Sequence, residues 1–236
     1  MRVLLVLLGA AEFPRRSDLS SPALAESHDA LRDWLLEKAH GPMVGTEDCL
    51  DLFDSPHSWP DQEVQLADWL ADRIATKPPP TDLIVHYVGH GGFRDETRDY
   101  YLAIRATRVE NAFYSSIMVD SLWRTLRSGA RQQRRFLIID ACFAAAAARA
   151  LMTPLEEAVK VKVRALQDAE GLQVAREAAV LPDRGTAVLC SSSAQDPANM
   201  AGAGGITQFT DGLLQVLRAG SAAIEDRLSL AQVQHW

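Results

Sequence analysis

The sequence predicts an α/β fold, a three-layer α/β/α sandwich with a mostly parallel central sheet. Two observations carry this. Short, unbroken Val/Leu/Ile runs alternate with longer amphipathic stretches, the pattern of strands connected by helices. The strand-like runs are apolar throughout rather than at every second residue, which implies a sheet covered by helices on both faces. A chain of 236 residues, 47% of them hydrophobic, is long enough to bury the core such a sandwich needs, and residues 1–236 read as a single domain.

The elements follow in order. Arg2 and the apolar run Val3 to Leu8 superficially resemble a short secretion signal, but the run is too short and reads instead as a buried first strand. Ala23 to Lys38 sets Leu24, Leu31 and Leu35 at helical spacing. Cys49 to Phe53 is a second strand, and Gln62 to Ala75 a second helix through Leu66, Trp69, Leu70 and Ile74. The stretch Pro78 to Asp82 ends that helix, because proline disfavours helix at and before itself, and starts the strand Leu83 to Val88. Tyr100 to Ile104 and Ala112 to Tyr114 read as short strands beside the sheet, followed by a helix over Asp120 to Leu126. Phe136 to Ile139 and Ala187 to Cys190 complete the strands, and Thr207 to Arg218 is a helix closed by Gly220. Between the last two strands, Thr153 to Ala179 turns Glu/Lys/Arg/Ala-rich. Residues 153–184 are therefore expected to form a helical insert or linker.

Composition removes several classes of function. With 24 Lys+Arg against 31 Asp+Glu, the net charge of −7 disfavours general nucleic-acid binding, although Arg131 to Arg135 could form a local basic patch. No apolar run approaches the roughly 20 residues that span a bilayer. Cys49, Cys142 and Cys190 are odd in number and far apart, which suits free thiols in a reducing cytoplasm. No metal or cofactor is expected: His28, Cys49 and His57 lack zinc spacing, and Asp48, Asp51 and Asp54 fall on a predicted strand, as a surface face. There is no Walker loop, and the Gly202 to Gly205 cluster does not open a helix after a strand.

Two strand ends carry chemistry. Leu83 to Val88 runs into Gly89-His90-Gly91-Gly92, and Phe136 to Ile139 runs into Asp140-Ala141-Cys142. Ligands bind at the carboxyl ends of strands in open parallel sheets, so a thiol and an imidazole are expected at one edge. An imidazole can take the thiol's proton and return it to a leaving amine. Helix-forming alanines after Cys142 put it near a helix N-terminus, where the dipole favours a thiolate. His-Gly-Gly also resembles an esterase oxyanion motif, but no Gly-x-Ser-x-Gly elbow accompanies it.

A His-Gly strand end followed 52 residues later by Asp-Ala-Cys resembles the caspase-like cysteine peptidases, including metacaspases and short bacterial effector proteases. The resemblance implies Cys142 as nucleophile, His90 as general acid/base, and the Gly91 and Cys142 N–H groups as an oxyanion hole. It implies an inter-subunit linker at the 153–184 insert and, from Asp140 two residues before the nucleophile, cleavage after Arg or Lys. A carboxylate on the pocket floor would take a guanidinium as a bidentate pair. Asp18, in the loop after the first strand, is a candidate second pocket acid, and Ser191 a candidate lining residue of the substrate groove. Phe143 to Ala146 replaces the glycine-bearing turn of well-known relatives. Protein or peptide substrates are implied, as is a role in bacterial defence or cell death; the alternative is a catalytically inactive caspase-like scaffold or partner-binding module. The sequence stops within an apparent helix start, Ser229 to Trp236, so a sensor or effector partner domain is expected.

Overall fold

A computed structural model describes residues 2–36, 44–94, 99–142, 144, 185–191 and 205–219. Five parallel strands form the central sheet in the order β2-β1-β3-β7-β8: β1 (Val3–Gly9), β2 (Cys49–Asp51), β3 (Asp82–Val88), β7 (Arg134–Asp140) and β8 (Thr186–Cys190). Around it lie α1 (Pro22–Leu36), α2 (Trp59–Ala75), α3 (Val119–Gly129) and α4 (Gln208–Ala219). A small antiparallel sheet of β4 (Gly91–Phe93), β5 (Tyr100–Leu102) and β6 (Ile117–Met118) sits beside the main one.

The strand alternation sorts the two faces. Leu4, Val6, Leu8, Leu83, Val85, Tyr87, Leu137 and Ile139 pack with Leu66 and Leu70 of α2 and with Leu122, Trp123 and Leu126 of α3. Val3, Leu5 and Leu7 point the other way, onto Leu31 and Leu35 of α1 and Leu213 and Leu214 of α4. β1 is buried along its whole length, which is why its sequence is apolar at every position. Gly9 ends β1 at φ 123°, with a Cβ there colliding with the Val88 carbonyl, so the close approach of β1 to β3 requires glycine.

Several expectations change. Ala112 to Tyr114 is not a strand: Phe113–Ser115 is a 3₁₀ turn, and the strand follows at Ile117–Met118. The three acids expected on one strand face separate, with Asp48 in the 3₁₀ turn Thr46–Asp48, Asp51 ending β2, and Asp54 in a turn at φ 52°. Asp48 is buried and receives Arg2 Nε at 2.6 Å, and Asp54 Oδ1 accepts the Ala11 and Glu12 N–H groups at 3.1 and 3.0 Å. The basic patch over Arg131 to Arg135 does not form. Arg134 pairs with Asp82 at 2.5 Å, and Arg135 is buried over the Trp123 ring, donating to Ala130 O and Thr186 Oγ1. The 153–184 insert, Gly202 to Gly204, Gly220 and Ser229 to Trp236 lie outside the described residues. Among the described residues no helix is long and apolar enough to cross a membrane.

Candidate active site

Strands β3 and β7 are neighbours in register, Val88 opposite Asp140, and the Gly89 N–H continues the ladder onto Asp140 O at 3.0 Å. The chain segments leaving both strands therefore start from one edge of the sheet. The half-buried His90 follows β3 immediately. Its Nε2 lies 2.7 Å from the Leu19 carbonyl, which can only accept, so Nε2 carries the proton and Nδ1 is the basic nitrogen of the neutral ring. Phe13 meets the ring edge-on at 5.6 Å. The His90 carbonyl receives the Ala103 N–H at 2.8 Å and shares the single proton of the Tyr87 hydroxyl, 2.8 Å away, with the Ala103 carbonyl at 2.7 Å, so its backbone is held as well as its ring. Burial pushes the His90 pKa below its ordinary value; the Leu19 bond and the nearby Asp18 charge oppose this, and Arg16 adds to it.

Gly91 and Gly92 form β4. The His90 carbonyl bond to Ala103 makes Gly91, opposite Leu102, a non-hydrogen-bonded position of the ladder. Its N–H is accordingly directed off the outer edge of β4 and is not used by β5. A Cβ on Gly91 would lie 2.6 Å from the Cys142 carbonyl oxygen, so the His-Gly segment and the Cys142 backbone are in direct contact.

Cys142 is half-buried where the chain turns out of β7, and the chain is helical at Ala144. The Ala141 N–H donates to Ser191 Oγ at 3.0 Å, and the single hydroxyl proton of Ser191 is shared between Ala141 O at 3.0 Å and the Asp140 carboxylate. Ser191 is itself placed by β8, through its N–H on Ile139 O at 3.0 Å. From the far side, the Tyr100 hydroxyl donates to the Cys142 carbonyl at 2.5 Å.

The two acids expected in the substrate pocket have different surroundings. Asp140 is buried, with its Oδ2 accepting from Thr207 Oγ1, just ahead of α4, and from Thr210 Oγ1 at 3.0 Å. Burial raises its pKa, and bonds from Thr207, Thr210 and Ser191 act against the rise. Asp18, in the 3₁₀ turn Ser17–Leu19, has its side chain 62% exposed. It takes Arg16 as a fork, Nε on Oδ1 at 3.0 Å and Nη2 on Oδ2 at 2.8 Å, and this bond holds its pKa low. Replacing Thr207 with valine should destabilise the fold by about 1.5–3 kcal/mol in urea unfolding, since it removes a bond to a buried carboxylate without changing side-chain shape.

The sequence reading brought out His90, Gly91, Cys142, Asp140 and Ser191, and the structure gathers them at one sheet edge. It missed the Leu19 carbonyl, Tyr87, Tyr100 and the two threonines. A backbone acceptor has no sequence signal, and the tyrosines read only as apolar strand positions. Among the described residues no group of three or more His, Cys, Asp or Glu could hold a metal ion.

A thiol and an imidazole thus follow the ends of two adjacent parallel strands in a sheet with helices on both faces. The family model described as "Caspase domain" matches residues 63–233, and the chain belongs to that family of cysteine peptidases. Among solved structures, the fold is similar to a protein of Geobacter sulfurreducens, with a TM-score of 0.54 and 13% identity, over 93% of this chain and 83% of the other. No curated protein matches the sequence.

Proposed function

We propose that this chain is a cysteine endopeptidase in which Cys142 is the nucleophile and His90 the general acid/base. The observation that carries the reading is the contact of His90-Gly91 with the Cys142 backbone, together with a ring whose Nε2 is occupied by Leu19 O. His90 Nδ1 takes the thiol proton as sulfur attacks the scissile carbonyl. The carbonyl oxygen becomes an oxyanion that accepts hydrogen bonds from the Gly91 and Cys142 N–H groups. Imidazolium Nδ1–H then protonates the departing amine as the C–N bond breaks, leaving a thioester. Water, deprotonated by the same nitrogen, cleaves the thioester and restores the thiol.

The side chain before the scissile bond is read as Arg or Lys. Asp18 is an exposed carboxylate near His90, and a substrate guanidinium would take it as a fork in place of Arg16, which now holds both oxygens. Asp140 adds an enclosed carboxylate two residues before the nucleophile. Residues 1–236 act as one peptidase domain, in a reducing compartment that keeps the thiols reduced, and an effector role in bacterial defence fits the caspase family.

The test is release of a fluorophore from peptides ending in Arg, Lys, Asp or Leu, with Cys142→Ala alongside. Cleavage after Arg and Lys, absent in the variant, is the expected result. Cleavage after Asp would retain the peptidase and overturn the basic pocket. Silence on every peptide with no labelling of Cys142 by a thiol-reactive probe would overturn the peptidase reading.

A further inference from the structure

The two peptide groups that flank Cys142 are each held by a side-chain hydroxyl from a different element. On the β8 side, Ser191 Oγ donates to Ala141 O, the carbonyl of the peptide group whose N–H belongs to Cys142. On the small-sheet side, Tyr100 Oη donates at 2.5 Å to Cys142 O, the carbonyl of the next peptide group. Tyr100 is buried at 5% exposure on β5, opposite Phe93, whose ring meets it edge-on at 5.4 Å. Its hydroxyl also occupies the space a Cβ on Gly91 would need, so this one group touches both catalytic segments.

We infer that Tyr100 is a positioning residue, which with Ser191 clamps the Cys142 backbone so that its N–H stays aimed at the oxyanion beside the Gly91 N–H. The role rests on the peptidase reading above. Ser191 fixes the carbonyl of the plane that carries the Cys142 N–H, and Tyr100 fixes the plane that follows, so Cys142 is held between two anchored peptide groups and its N–H cannot rotate away; a preorganised donor costs no reorientation when charge develops. Burial keeps the Tyr100 phenol neutral throughout the working pH range, so its proton remains available to the carbonyl. Gly91 is small for the same reason: a side chain there would displace the hydroxyl from Cys142 O.

The test compares the full chain with Tyr100→Phe and with Ser191→Ala, using an arginine-ended fluorogenic peptide, a matching peptide aldehyde, and iodoacetamide. Tyr100→Phe keeps the ring and deletes only the hydroxyl. The expected result is a kcat lower by about 10- to 100-fold, the cost of sub-ångström misplacement of a reacting group, with KM within about twofold. Affinity for the aldehyde, whose thiol adduct carries an oxyanion, should weaken in parallel. Alkylation by iodoacetamide needs the thiolate and no oxyanion hole, so its rate and pH profile should stay at the wild-type values, while the thermal midpoint should fall by no more than the few degrees that one lost hydrogen bond costs. Ser191→Ala should show the same split from the other side, with the double variant losing less than the product of the singles. Wild-type kcat in Tyr100→Phe overturns the clamp and leaves the peptidase reading standing. A loss of alkylation equal to the loss of hydrolysis overturns it too, because the hydroxyl would then act on the thiol. A wild-type chain that hydrolyses none of the Arg-, Lys-, Asp- or Leu-ended peptides, binds none of the matching aldehydes and is not alkylated at Cys142 overturns the peptidase reading, and this role with it.

Discussion

Alanine at Cys142 is expected to abolish peptide hydrolysis, whereas alanine at His90 should lower kcat/KM by about 10²- to 10⁴-fold, the usual contribution of a positioned acid/base. The two losses differ because the first removes the atom that bonds to the substrate and the second only the group that moves its proton. The pH profile separates them further. Burial keeps the His90 imidazole neutral below the ordinary histidine range, so the acid limb of the wild-type profile should fall below about pH 6.5, the unperturbed value. Without His90 the thiol must ionise into solvent. The remaining activity of His90→Ala should therefore lack the acid limb that the imidazole gives the wild type. A wild-type acid limb above pH 7, or a His90→Ala profile parallel to wild type, would show that another group moves the proton.

Much of this arrangement was legible in the sequence because the chemistry sits where strands end. Unbroken apolar runs located β1, β3 and β7, and the sudden change to Gly-His-Gly and to Asp-Ala-Cys marked the functional edge. Other features were not legible, for a physical reason common to them. Asp48, Asp54 and Arg135 have the composition of surface residues, yet Asp48 and Arg135 are buried and Asp54 ties down a turn, because partners distant in the chain satisfy them. Leu19 contributes only its carbonyl, which no side-chain pattern reports. Tyr87 and Tyr100 read as strand hydrophobes, and it is their hydroxyls, meeting His90 O and Cys142 O, that stiffen the site. Asp140 was read as a pocket acid from its spacing to Cys142; that it also fastens the start of α4 to the sheet depended on two threonines some 70 residues later in the chain.

Acidification from pH 7 to pH 4 is expected to cost the native chain about 3 kcal/mol more stability than it costs His86→Leu. His86 lies in the middle of the sheet between Leu7 and Ile138, fully buried, and neither ring nitrogen has a hydrogen-bond partner. Burial, reinforced by the nearby His28, lowers its pKa to about 3. His28 is itself stacked on Phe53 and lies between Asp29 and Asp51. In the unfolded chain His86 takes its proton near pH 6.5, so from there down to about pH 3 the unfolded state binds one proton more than the folded state. Stability then falls with falling pH by about 1.4 kcal/mol per unit over that window, is fully present above it, and has no further slope from this group below it. Leucine removes the titration, and at pH 7 it also removes two buried nitrogens without partners, so His86→Leu should be at least as stable as wild type there. Urea unfolding of both proteins at pH 7, 5.5 and 4 gives the comparison, and coincident slopes would mean that the folded chain accepts a proton at His86. Because this ring lies within the sheet while Tyr87, beside it on β3, points to the opposite face and holds His90, the substitution should leave peptide hydrolysis at pH 7 unchanged.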